Sequence, residues 1–208
     1  LTAVPETVFP HPKVRDFLDD PLGRGIWVAT YEDGLHLLGG SPEIGWTTPI
    51  RHTVENGLSS DVVMSLELDS AGTIWAATYA GVNLVDPASG DIRQIGLEQG
   101  LPSNAVIHLF RDSNDEMWVS TFMGAARYRK GAFRTFNWQE EGTETIAYFV
   151  FEDASGRYWM GSNIGLIGFD PEAYFASSSL TDRHRAVRRL TRQQGLVADE
   201  MNTGAVFR

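Results

Sequence analysis

Apolar residues along this chain fall in short runs, each broken within a few positions by Gly, Asp, Ser or Pro. Runs rich in β-branched and aromatic residues and bounded by turn formers predict short strands. Between residues 57 and 99 the pattern predicts four of them: 62–68, 73–78, 82–85 ahead of Asp86-Pro87, and 92–95. No apolar stretch of comparable length keeps a helical period, which excludes solenoids of helix pairs.

The strands recur in phase. In DSAGTIWAATYAG, Asp69 precedes Trp75 by six residues, Thr78 follows it by three and Gly81 by six. Asp112, Trp118, Thr121 and Gly124 repeat that spacing, as do Asp153, Trp159, Ser162 and Gly165. An earlier copy holds Trp27 and Thr30, with Gly34 one residue late and the turn from Asp20 one residue longer. Gly-Leu pairs open the second, third and fifth units at Gly57, Gly100 and Gly195, and the four in-phase tryptophans (Trp27, Trp75, Trp118 and Trp159) lie 48, 43 and 41 residues apart. Four short strands per unit of about 40–50 residues is the arithmetic of a β-propeller blade. The predicted fold is all-β: a lead-in over 1–13, blades near 14–56, 57–99, 100–141 and 142–194, and the start of a fifth at 195–208.

The repeated residues have plain structural work. Asp in Asp-x-x-Gly bonds its own backbone, and Gly supplies positive φ. Asp115 stands in that glycine's place in the third copy. Tryptophan fills the space between blades and carries an N–H that needs a partner.

Composition narrows the function. A net charge of −10 argues against a general nucleic-acid binder, which needs a basic face. The absence of cysteine removes disulfides, thiol catalysis and cysteine metal sites. No apolar run approaches the ~18–20 residues of a membrane span. A chain that opens on Leu1 and stops at Arg208 inside a repeat is expected to be part of a longer polypeptide.

The pattern Gly-Leu-x-x-[Asn/Asp]-x-Val followed by Asp-x-x-Gly-x-x-Trp-x-x-Thr-x-x-Gly resembles the two-component regulator propeller repeat. It is carried by GLSSDVVMSLELDSAGTIWAATYAGVNLVDP, GLPSNAVIHLFRDSNDEMWVSTFMGAARY and FEDASGRYWMGSNIGLIGFDP, and GLVADEMNTGAVFR looks like the start of another. The resemblance implies the periplasmic input region of a membrane-anchored bacterial sensor, a hybrid histidine kinase or a diguanylate cyclase. It also implies a propeller of about seven blades, of which this chain would supply four and the opening of a fifth. The partners to expect are further blades, a membrane-linked signalling module and a small-molecule or oligosaccharide ligand. Uncovered blade faces would in addition favour self-association.

The candidate chemistry lies where the repeat breaks. The five histidines share no phase and form no zinc motif, and no nucleophile elbow or phosphate loop is present. Neither an enzyme nor a cofactor is therefore expected; a propeller lyase or hydrolase acting on carbohydrate, and a spacer without ligand, are the alternatives. His108 lies on a predicted first strand, where the other units place Ser65 and Phe149. Asp61, Asn104 and Asp199 lie in loops entering first strands, Tyr148 lies on such a strand, and Trp138 stands outside the tryptophan phase. These six are candidate ligand contacts. Between the third and fourth strands of the fourth unit, 172–186 add about 15 residues, and the dense basic patch in this insertion and just beyond it (Arg183, Arg185, Arg189 and Arg192) is a candidate contact for an anion or partner.

Overall fold

The structure, a computed structural model, describes residues 13–47, 49–136, 145–198, 200 and 201. Their strands form four antiparallel sheets. The first holds β1 (Val14–Asp19), β2 (Gly25–Thr30), β3 (Leu35–Ser41), β4 (Gly45–Trp46) and β5 (Ile50–His52). The second runs β6 (Val63–Leu68), β7 (Ile74–Thr78), β8 (Gly81–Val85), β9 (Ile92–Ile95). The third runs β10 (Val106–Arg111), β11 (Met117–Thr121), β12 (Gly124–Arg129), β13 (Ala132–Phe136). The fourth is β14 (Ala147–Glu152), β15 (Tyr158–Ser162), β16 (Gly165–Phe169), β17 (Val187–Leu190), with helices α1 (Pro171–Ala176) and α2 (Leu180–Arg185) between its last two strands. In the second, third and fourth sheets neighbours in space are neighbours in sequence, as in propeller blades.

The first blade departs from four strands. Its β3 continues past Gly39 and folds back on β4, pairing Gly40 with Trp46 and Ser41 with Gly45. Trp46, which stands outside the tryptophan phase, belongs to this extra hairpin.

The repeat spacing has a physical cause that the turn alone does not supply. Asp69 uses one carboxylate oxygen for its turn, accepting the N–H groups of Ala71 (3.0 Å) and Thr73 (2.8 Å). The other oxygen accepts the indole N–H of Trp75 at 2.9 Å. Asp112 does the same for Trp118 (2.9 Å) and Asp153 for Trp159 (2.8 Å). Asp20 reaches Trp27 at 2.8 Å across its longer turn. One carboxylate thus holds both the bend and the buried ring behind it. Behind the tryptophan, the hydroxyls of Thr30, Thr78, Thr121 and Ser162 donate to the carbonyls of Gly34, Gly81, Gly124 and Gly165, which closes the second hairpin. Gly81 is required there because a Cβ would lie 2.4 Å from the Ile95 carbonyl oxygen. Asp115 takes the left-handed conformation of the glycine it replaces, with φ of 63°.

The Gly-Leu pairs end short 3-10 turns. Gly57 and Gly195, at φ of 118° and 100°, cap the turns Val54–Asn56 and Arg192–Gln194, and Leu58 is buried beyond the first of them. The chain divides into two compact units. One contains the first two blades, with a core that includes Trp27, Leu37, Leu58, Val63 and Ile74. The other contains the last two, with a core built on Trp118, Phe136, Tyr158, Phe169, Tyr174 and Phe175.

Candidate functional site

Loops entering the first strands are held by their own polar side chains. Asp61 accepts the backbone N–H of Val54 at 2.9 Å, and its carbonyl accepts that of Gly34 at 2.9 Å. Asn104 occupies the same phase: its side chain accepts Leu97 N–H (3.1 Å) and its carbonyl accepts Gly81 N–H (2.7 Å). Each therefore ties a 3-10 turn and the preceding hairpin to one loop. Asn163 plays a related part from the other side, accepting Ile146 N–H at 2.8 Å. Asp199 and Trp138 lie outside the described residues.

The register relates the first strands to one another. Ser65 lies opposite Ala77 and Phe149 opposite Gly161, each two residues past its tryptophan, and in the first blade Asp16 lies opposite Ala29 in the same way. His108, half-buried on β10, shares their place four residues ahead of its turn aspartate. Asp16 is the member that counting from tryptophan misses, because the longer first turn displaces it by one. Counting back four from the turn aspartate finds it directly: Asp16 from Asp20, Ser65 from Asp69, His108 from Asp112 and Phe149 from Asp153. Burial raises the Asp16 carboxyl above its usual range, although Leu66 N–H (2.8 Å), Phe17 N–H (2.9 Å) and the Ser65 side chain all bond it.

The structure joins Tyr148 to a carboxylate from beyond its own blade. The Tyr148 hydroxyl on β14 donates to Glu200 at 2.6 Å, from the segment that opens the next repeat. That segment is also anchored by Met201 N–H on the Ser162 carbonyl at 2.9 Å. Burial, then the Glu200 bond, pushes the Tyr148 phenol up to about 12. Because the folded value exceeds that of a free tyrosine, near 10, the stabilisation is complete below about pH 10 and disappears as pH rises towards about 12. Glu200→Gln is expected to move the Tyr148 titration only part of the way back, since burial is the larger cause. NMR titration of the ring signals against pH checks this.

The arginines do not form one free patch. Arg183 donates to the Ser177 carbonyl (3.3 Å) and lies over the Tyr174 ring, and Arg185 pairs with Asp182 at 3.4 Å. Arg189 is half-buried on β17, and Arg192 is exposed where the last 3-10 turn begins. The cation that sequence reading passed over is Arg127, 2% exposed and opposite Trp118 in the sheet. It meets Glu172 of α1 at 2.6 Å and Glu116 at 3.3 Å, and Arg129 bridges the same two carboxylates at 3.0 and 2.8 Å. Burial raises the Glu116 carboxyl, whereas the Arg127 bond holds Glu172 down. The 172–186 insertion is thereby clamped to the third blade. Among the described residues, no group of three or more His, Cys, Asp or Glu is placed to hold a metal ion, and no helix is long and apolar enough to cross a membrane.

Compared with known families, residues 57–80 and 100–123 match the model of the two component regulator propeller. Two stretches of the chain, in the second and third blades, thus match that repeat. The two matched repeats run from the Gly-Leu pair through the Asp–Trp clamp to the hairpin beyond it. Among solved structures, the chain is similar to the extracellular domain assigned to a hybrid two component system of B. thetaiotaomicron, at TM-score 0.73 and 20% identity over 93% of this chain and 25% of that one. A second extracellular domain from B. thetaiotaomicron, assigned to a one component system, gives 0.67 at 15% identity over 86% and 24%. Virginiamycin B lyase from Staphylococcus aureus gives 0.57 at 13% identity over 77% and 53%. The chain spans about a quarter of the length of the two extracellular domains. At these identities the likeness establishes the propeller fold that regulator propeller repeats build. No curated protein matches the chain.

Proposed function

We propose that these blades are part of a non-catalytic, extracytoplasmic input propeller of a bacterial membrane signalling protein. The observation that carries the reading is the pair of phased regulator propeller repeats, 57–80 and 100–123. The likeness of the fold to extracellular domains assigned to signalling systems supports it. So does the local chemistry: Asp61 and Asn104 spend their side chains on backbone N–H groups, an arrangement suited to presenting loops rather than to moving protons. The ligand class is a small molecule or oligosaccharide. The end of the fourth blade, where Tyr148 holds Glu200 of the next repeat, is where occupancy would alter the packing of one blade on the next.

The parent protein in membrane vesicles, assayed for signalling output across a panel of mono- and oligosaccharides, tests this. At least one compound should change output severalfold, with Tyr148→Phe or Glu200→Gln shifting the half-maximal concentration by about tenfold, the weight of a charge-assisted hydrogen bond. Turnover of a saccharide by the chain, or an output indifferent to every compound and to both substitutions, would remove the reading.

A further inference from the structure

Because the blades share one register, each position can be compared with its counterpart. In the third blade Trp118 lies opposite Arg127, Arg127 opposite Arg134, and Ala125 opposite Phe136. In the first blade those places belong to Trp27, Leu37 and Ile50, with His52 opposite Leu35. The second unit fills the slot over this face from the following blade. There α1 sets Phe175 under Arg127 and Arg134, whose guanidinium carbons lie 4.6 and 4.5 Å from its ring centroid, roughly parallel to Trp118. Tyr174 packs on Phe136 at 4.4 Å.

In the first unit the corresponding connection, 86–91, is the short turn Asp-Pro-Ala-Ser-Gly-Asp and has no ring to insert. The slot remains an open cleft of about 310 Å³ between Trp27, Leu37, Ile50 and His52 on one side and Ala88 and Ser89 on the other. A cavity of about 150 Å³ holds a benzene molecule, so this one has room for a substituted ring.

His52 marks the cleft as more than loose packing. Its imidazole is 9% exposed and stacks on Trp27 at 5.6 Å, and among the described residues no group bonds its ring nitrogens. The ring nitrogens are not closed off from solvent, so they stay available to a ligand in the cleft that His52 lines. Burial lowers the His52 pKa, so near neutrality the ring is uncharged and offers one donor and one bare acceptor. Beside it Ile50, 57% exposed, presents an aliphatic wall where the third blade has the arginine that covers Phe175.

We infer that this cleft binds a small phenolic compound, its ring lying between Leu37 and Ile50 as Phe175 lies between Arg127 and Arg134, and its hydroxyl bonded to His52. The site is distinct from the Tyr148–Glu200 contact and does not depend on the sensing role. The probes that test it are p-cresol and toluene, titrated into the chain by NMR. Saturable p-cresol binding is expected, about five- to tenfold tighter than toluene, with contacts from the probe ring to the Leu37 and Ile50 methyl groups. His52→Phe, which installs the residue of the matching position in the third blade, should erase the difference between the probes. Ala88→Phe should supply a ring from the chain itself and abolish binding of both, with a melting temperature no lower than that of the natural chain. The inference is overturned by an absence of saturable binding, by equal affinity for the two probes, or by ring contacts elsewhere. Self-association that Ala88→Phe removes, without p-cresol binding, would also overturn it by assigning the slot to a second copy of the chain.

Discussion

Asp112→Ala is expected to destabilise the second unit by about 3–5 kcal/mol, the range for breaking a buried hydrogen-bond network. The Asp112 side chain is nearly inaccessible and accepts four bonds: the backbone N–H groups of Asn114 and Glu116 (both 2.9 Å), the Trp118 indole (2.9 Å) and the Tyr158 hydroxyl (2.8 Å). Burial first, and the Asp112 bond second, hold that tyrosine protonated far above its usual range. Alanine leaves an indole N–H and a phenol buried without acceptors and releases the turn that phases two strands. Asp69→Ala loses the same three local donors at a half-exposed site, so about 1–2 kcal/mol is expected there. Urea unfolding followed by tryptophan fluorescence compares the two. Losses of equal size would mean that the partner from the neighbouring blade, Tyr158, contributes nothing.

Arg127 is the second large effect. Its guanidinium neutralises Glu116 and Glu172 and covers the rings of Phe175 and Trp118. Arg127→Ala leaves Glu116 with Arg129 as its one remaining cation and opens a void beside Phe175 and Trp118, and about 2–4 kcal/mol should be lost. Buried ion pairs are nonetheless replaceable when both charges go together. The first blade shows the replacement, since Leu37 fills the same register position. Arg127→Leu combined with Glu116→Gln should therefore stay within about 1–2 kcal/mol of the natural chain. Denaturation midpoints of the two variants decide the point, and equal losses would show that charge has no part in docking α1.

How much of this was legible in the sequence depended on whether a residue repeats. The second-blade strands at 74–78 and 92–95 lie where the apolar runs place them, because turn formers bracket them on both sides. Asp115 could be read as a glycine substitute because its neighbours fix the turn. The helices were not legible. Asp170-Pro171 reads like Asp86-Pro87, yet Asp170 caps α1, accepting Ala173 N–H at 3.0 Å with proline at the first helical position. Six residues are too few to display a helical period. The fourth-strand arginines also share less than their spacing suggests. Arg93, Arg134 and Arg188 lie two strands across from their tryptophans, whereas in the first blade Ile50 takes that place and Arg51 turns to pair with Asp33. That one-residue slip is what gives the His52 cleft its apolar wall. A contact made across blades, such as Tyr158 on Asp112 or Phe175 on Trp118, has no sequence signal in a single chain, since nothing local demands it.

One bond per blade, from the turn aspartate to the indole six or seven residues on, accounts for the period that organises this chain. A double-mutant cycle of Asp112→Ala and Trp118→Phe measures that bond while sparing most of the ring's packing. The expected coupling is about 1–2 kcal/mol, with the double variant less damaged than the sum of the singles. Additivity within about 0.3 kcal/mol would contradict it, and would leave the aspartate as a turn former and the tryptophan as filler, independent of each other.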